Sequence, residues 1–449
     1  MTSEKQYISL FDDNKEIISR NSINLLNRDR DMARSCFGEK GFPSRKVEHY
    51  RYTDVQAAFA PDYGVNVNRL QFPLDSSRLF RCNVPHIGSA QAYMVGDRFV
   101  GDLSAVLPAG VYVGSLSACP EKYMHELMSR YNSLAPWKTD GIVALNTMLA
   151  QDGLLIYIEK GIKVDPIIQI VNLGRSRNDL MTNRRVMMVL EEEAELSLLL
   201  CDHNMDSCRF LTTQVAEVWL ESNSRLDFCA LEETGENNSL FESWNVHQKR
   251  GSRLDAGFFT LRNGLTRRTI HVDLAGEEAY AQLFGGVIGD DRSHTDNYLL
   301  VEHSQSQCSS NVLFKYVLDG ESRGAFAGKV LVREGAQQTE SLETNNNLCV
   351  SPKARMYTQP MLEIYADDVK CNHGATVGKL DEQALYYMAQ RGIPEEEANL
   401  LLQEAFLGDA IRRIGIEAIR ERMAYLVEQR FRHKLKGCGN CSMCVTKKN

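Results

Sequence analysis

The sequence predicts a mainly β chain with helical ends, and three observations carry that expectation. Between about residues 155 and 373, short runs alternate apolar and polar residues; Val312, Phe314, Tyr316 and Leu318 share one strand face before the turn DGESRG. A turn-then-strand unit recurs there. EEAELSLLL, NSRLDFCAL, GSRLDAGFF and EEAYAQLFG place Leu196, Leu226, Leu254 and Tyr280 at intervals of 30, 28 and 26 residues, and Phe326 and Met356 continue the cadence 30 apart. On either side of this zone the apolar period becomes that of a helix. A turn and strand repeated at this spacing point to a β-solenoid, whose coils bury their inward faces only by stacking. A β-sandwich also strings strands at short spacing but needs no fixed period, so the recurrence favours the solenoid.

The elements follow in order. Phe11, Ile18, Leu25 and Met32 recur every seven residues with Leu10 and Ile17 beside them, which predicts one amphipathic helix over 4–37, stopping near Gly38 and the GFP at 41–43. The polar, aromatic SRKVEHYRYTD and a Pro- and Gly-punctuated passage lead to a helix around Pro120 to Tyr131. Beyond the β zone, DEQALYYMAQRG reads as a short helix with Asp381 near its N-cap and Gly392 just past its end. Pro394 opens a second, with Glu395, Glu396 and Glu397 where the helix dipole favours acids and Leu401, Leu402, Ala405 and Phe406 along one side. A third carries Ile411, Ile414, Ile419, Met423, Leu426 and Phe431 and closes on Arg430, Arg432, His433, Lys434 and Lys436 before Gly437. The expected division is 1–120 helical and mixed, 121–375 β core, 376–437 helical, and 438–449 a cysteine-rich tail.

Bulk properties narrow the function. A chain of 449 residues, 43% hydrophobic and 24% charged, has the composition of a folded protein. A net charge of −8 argues against a general phosphate-tracking surface, so no nucleic-acid partner is expected. No run reaches the about 18 apolar residues of a membrane span, and MTSEKQYISLFDDNKE has no apolar export segment. The 12 cysteines are therefore expected as reduced thiols in the cytoplasm.

Four motifs carry candidate chemistry. In DDVKCNHGATVG (367–378), Cys371 and His373 are two apart, so on a strand they project together, about 7 Å apart. Thiolate and imidazole suit zinc, iron or an iron–sulfur cluster, but the pair fills at most half of a four-ligand site. The plain alternative is a buried cysteine and a hydrogen-bonded histidine at a sheet end. Cys438, Cys441 and Cys444 in CGNCSMC have the spacing of a partial cluster motif without its fourth cysteine, and an oxidisable tail is the alternative. His294, Asp296, Glu302 and His303 in HTDNYLLVEH are a further metal candidate, against solvated residues on a sheet face. GAFAGKV (324–330) has the wrong glycine spacing and no hydroxyl for a P-loop, so no nucleotide is expected on this chain. The rival from another class is a β-helical carbohydrate-active enzyme, which uses a carboxylate pair or a cationic cluster in an open groove; Asp367 and Asp368, being adjacent, would face opposite ways on a strand and cannot act as a pair.

PMLEIYADDVKCNHGATVGKLDEQALYYMAQRGIPEEEANLLLQEAF resembles the shared C-terminal core of the SufB/SufD family, scaffold proteins of iron–sulfur cluster assembly. VEHSQSQCSSNVLFKYVLDGESRGAFAGKVLV, AQQTESLETNNNLCVSPKA and GFPSRKVEHYRYTDV extend the resemblance over most of the chain. DDVKC-x-HGATVG makes the SufD type the nearer match; a SufB-like main scaffold is the alternative. The resemblance implies a right-handed parallel β-helix flanked by helical domains and a non-enzymatic role in a complex with SufB and two copies of the ATPase SufC. It implies SufC contact through the C-terminal helices between Pro394 and Phe431, with Leu401, Leu402 and Phe406 as candidate contacts. It also implies strand-to-strand pairing with SufB, with a homodimer as the alternative pairing of the chain alone. His373, with Cys371 beside it, then takes part in assembling a transient cluster opposite a cysteine of SufB. The family does not require the Cys438, Cys441 and Cys444 tail.

Overall fold

The computed structural model describes residues 3–71, 90–204 and 206–432; Cys438, Cys441 and Cys444, and the cations from His433 to Lys436, lie outside them. Where one helix is expected over 4–37 there are three: α1 (Ser3–Arg20), α2 (Asn24–Asn27) and α3 (Arg30–Lys40). Phe11, Ile18 and Leu25 are buried, but Met32 is 57% exposed. The chain turns at residues 21–23, and Arg30 faces inward instead, donating to the carbonyls of Met148 (2.8 Å) and Ala150 (2.5 Å). Next come α4 (Val55–Phe59), β1 (Gly64–Val65), β2 (Ala90–Val95), β3 (Arg98–Val100), β4 (Val111–Ser115), α5 (Glu121–Arg130) and α6 (Gly141–Leu149). The span expected to be the β core thus begins with two helices.

From residue 153 the chain winds into a parallel β-helix of about eight coils. One sheet stacks β5 (Gly153–Ile158), β7 (Leu180–Leu190), β9 (Phe210–Leu220), β11 (Asn238–Gln248), β13 (Leu265–Leu274), β15 (His294–His303), β17 (Arg323–Val332) and β19 (Arg355–Ile364). The other stacks β6 (Ile168–Gly174), β8 (Glu195–Asn204), β10 (Arg225–Glu233), β12 (Arg253–Arg262), β14 (Tyr280–Gly289), β16 (Ser309–Leu318), β18 (Thr339–Cys349) and β20 (Val369–Gly378). Register aligns Leu196, Leu226, Leu254, Ala281, Ser310, Ser341 and Cys371 in one inward column. The sequence cadence therefore slips at Tyr280, whose neighbour Ala281 holds the column. Phe326 and Met356 belong to the other sheet, where they pair with Thr358 and Gly324 rather than with each other.

The coils stay in step through one repeated corner. Glu193, Asn223, Gly251, Glu278, Gln307 and Gln338 all have positive φ, between 58° and 63°. The residues that follow, Ala194, Ser224, Ser252, Ala279, Cys308 and Thr339, are fully buried. Each left-handed residue after Glu193 is linked to its neighbours by an N–H to the next coil's corner, as from Asn223 to Arg250 (2.8 Å) and from Gln338 to Asp368 (2.6 Å).

Helices cover part of each outer face. The N-terminal helices pack on one sheet, where Leu145 and Met148 meet Leu211, Val215 and Phe241. The buried pair Arg185–Glu217 (2.8 Å) fixes that contact, with Glu217 also accepting from the N–H groups of Asn132 and Leu134 (both 2.9 Å). On the other sheet lie α8 (Glu395–Ile411) and α9 (Glu417–Phe431), with Leu407, Ala410 and Met423 against Phe259, Phe284 and Leu313. Ile411 closes α8 and Ile414 sits in the turn, so the last helix begins later than its apolar pattern suggests. The shorter α7 (Glu382–Gln390) starts at Asp381, whose carboxylate accepts from the N–H groups of Gln383 (2.9 Å) and Ala384 (3.4 Å). Among the described residues no helix is long and apolar enough to cross a membrane.

Candidate functional site

The two ends of the solenoid differ. At the N-terminal end, β4 runs antiparallel to β5, and β2 and β3 extend the other sheet. At the C-terminal end, β19 and β20 are the last strands of their sheets, and their outer edges pair with no other described strand. Around them Tyr357, Ile364, Tyr365 and Val377 are exposed at 39–62%. An unpaired, apolar strand edge is a template for pairing with another chain.

Cys371 and His373 lie on this last strand, two residues apart and in two adjacent inward columns. Cys371 is half-buried against the cluster of Val330 and Val332. Burial pushes its thiol up, partly offset by the N–H of Ser341. His373 is exposed. Asp367 and Asp368 precede the strand, in the corner. There Asp368 donates its N–H to Gln337 (2.9 Å) and accepts from that of Gln338 (2.6 Å).

Beneath this pair the lumen changes character. One coil further in, Ser341, Glu343, Asn345 and Asn347 point inward, where earlier coils carry Leu, Phe, Ala and Val; all four are buried. Asn345 donates to the carbonyl of Phe314 (3.1 Å); Asn347 donates to Asn345 (2.7 Å) and to the carbonyl of Thr376 on the last strand (2.8 Å). Ser341 meets Ser310 (2.9 Å), which meets His303 (2.9 Å). The alternation in TESLETNNNLC suggests the opposite register, with Leu342 inward; Leu342 is 45% exposed. That inversion is why the sequence did not single out Glu343. The only signal was a carboxylate at a position two residues from neighbours that share its face.

The other candidates do not assemble. His294 and Asp296 receive Thr53 (3.3 and 2.5 Å), Glu302 pairs with His271 (3.3 Å) and Arg333 (2.6 Å), and His303 is sealed inside. GAFAGKV is the interior of β17. Among the described residues no group of three or more His, Cys, Asp or Glu stands together as a metal site. A groove of 920 Å³, lined among others by Arg45, Tyr52, Arg323 and Arg355, includes neither Cys371 nor His373. Of the three helix residues, Leu401 is exposed and Leu402 half-buried, while Phe406 packs on the solenoid beneath the Lys315 ammonium, 4.4 Å from its ring centroid.

The fold is that of a parallel β-helix with helices on both faces, whose last coil ends in the parallel strands β19 and β20. The chain matches the SufBD core domain of the SUF system for FeS cluster assembly over residues 172–406, and the SufBD N-terminal region over 1–170. It belongs to the SufBD family. A SufBD family iron–sulfur cluster assembly protein of Synechocystis is 23% identical over 428 residues, 92% of this chain and 93% of that relative. The iron–sulfur cluster assembly protein SufD of Escherichia coli is 25% identical over 395 residues, 87% and 89% of the two chains. SufD of Bacillus subtilis is 24% identical over 294 residues, 64% and 66% of the two chains.

Proposed function

We propose that this chain is a non-enzymatic scaffold subunit of SufD type. Its open end pairs edge to edge with the β-helix of SufB, and its C-terminal helices carry the ATPase SufC. The observation that supports this most is the uncapped last coil, which presents His373 to solvent and Cys371 beside it above a polar lumen. Two ligands from this chain suit iron or a nascent cluster only if a partner supplies the rest. The cluster is then cargo, held transiently at the seam. ATP-driven closure of SufC pulls on α8 and α9, which lie on the sheet that ends in β20, and strains the seam open to iron and sulfide.

The test is reconstitution with SufB and SufC. His373→Ala is expected to leave the complex assembled and to abolish most cluster formation, read by iron and sulfide content; unchanged cluster formation overturns the role of His373. The chain alone is expected to hold no stable cluster, and one that did would mark the SufB-like role instead.

A further inference from the structure

A carboxyl group is buried one coil beneath His373, and the fold gives it no partner. Glu343 is 1% exposed, and among the described residues it makes no hydrogen bond or ion pair; its Oε1 is a buried orphan. Burial holds its pKa up at about 8. A carboxyl group left without a partner in a packed lumen costs folding free energy that an apolar residue would not. The earlier coils of its own column show what the position would otherwise hold: Glu343 continues the line Phe228, Ala256, Leu283 and Val312.

The surroundings make room for the acid. Its carboxyl group reaches across the lumen to Gly328 on β17, where a built Cβ would collide with both oxygens. Directly above Gly328 in the next coil is Pro360, and directly above Glu343 is His373. The carboxyl group therefore lies under the last coil, below the line from His373 to Pro360. Nothing in the described chain stacks above that coil.

We propose that Glu343 is an iron ligand of the open-end site, coordinating from below the ferrous ion that His373 takes up from above. The proposal rests on the assignment of His373 to cluster assembly. Carboxylate with imidazole is a donor set that suits ferrous iron, and adjacent parallel strands bring the two Cα atoms within about 5 Å. The remaining positions fall to the partner chain and to sulfide. Placing the second ligand inside the lumen directs the ion into the seam rather than into solvent.

The test uses Co²⁺ as the probe, on the complex of this full chain with SufB and SufC in the presence of ATP. Cys438, Cys441 and Cys444 are replaced by serine in every sample so that the tail contributes nothing. Glu343→Gln is expected to weaken Co²⁺ binding by about 100-fold, at or beyond the upper end of the 10–100-fold typical of losing an outer-shell partner, and to alter the d–d absorption band. Its melting temperature is expected to stay level, because the buried carboxyl group and the amide that replaces it are both uncharged and of nearly one size; Glu343→Asp is expected to recover part of the binding. A purely structural role would give the reverse, a lower melting temperature with unchanged Co²⁺ affinity. If Glu343→Gln binds Co²⁺ like the parent while His373→Ala does not, the proposal fails and the assignment of His373 stands. If both variants bind like the parent, both fail.

Discussion

His303 takes no part in the metal chemistry that HTDNYLLVEH suggests, yet its environment leaves a clear thermodynamic trace. The side chain is fully buried, Nε2 meets Ser310 (2.9 Å), and Nδ1 is unpartnered. Burial lowers its pKa from 6.5 to about 4. Below pH 6.5 the unfolded chain takes up a proton that the folded chain refuses until about pH 4. Stability contributed by the neutral ring is thus intact above pH 6.5 and lost progressively as pH falls to 4, by roughly 3 kcal/mol in all. His303→Gln is expected to remove that share of the slope, measured as the difference in urea-unfolding free energy between parent and variant at pH 4.5 and pH 7. Equal slopes would mean that the ring is solvated. The sequence puts His303 in one motif with His294, yet the two are the last and first residues of β15, nine positions apart and so on opposite faces. Only the corner that turns β15 into β16 seals one of them.

At the scale of elements, the helices predicted by caps and acids were the most legible part. Asp381, Gly392 and the three glutamates from Glu395 act locally, so neighbouring residues suffice to recognise them. The solenoid was legible as a rhythm but not as a register. Its corner needs one left-handed residue per coil, and that residue is glycine at Gly161 and Gly251; at Glu193, Glu278, Gln307 and Gln338 the hydrogen bonds of the stacked corners hold an ordinary residue there at a cost of order 1 kcal/mol each. Also hidden was the tie between the last helices and the sheet. Lys315 is almost fully buried and donates to the carbonyl of Phe406 (3.0 Å) and to the Asp409 carboxylate. Because Asp409 is 47% exposed, its ion pair is screened, and the loss in Lys315→Met comes mainly from the charge-assisted hydrogen bond to the Phe406 carbonyl, about 1–2 kcal/mol. The expected sign is local: faster amide hydrogen exchange over 400–411 with β16 unchanged. Uniform acceleration across both would mean that α8 and the sheet unfold as one unit and that Lys315 is no separate tie.

For the whole molecule, what matters is the asymmetry of its ends. Among the described residues the N-terminal end closes on the antiparallel strands β3 and β4, whereas the C-terminal end stops at the parallel β19 and β20, with Ile364 (39% exposed) and Val377 (51% exposed) beside them. Stacking makes each coil's stability depend on its neighbours, so the last coil, with a neighbour on one side only, gains most from a partner. At high concentration and without SufB, the nearest substitute is a second copy of the same end, since two such edges are self-complementary about a two-fold axis. The chain alone is therefore expected to dimerise reversibly. Ile364→Lys with Val377→Lys is expected to weaken that dimer by at least about tenfold in sedimentation equilibrium, because two ammonium groups on each copy would be forced together across the seam. Both sites are solvent-exposed, so the melting temperature of the dilute monomer should stay within the range of ordinary surface substitutions, about 0.5 kcal/mol. The same double variant should fail to join SufB while still binding SufC, because the helices proposed to carry the ATPase lie along the side of the stack and not at its end. Undiminished dimerisation with SufB binding lost would place self-association elsewhere on the chain; loss of both together ties them to one edge.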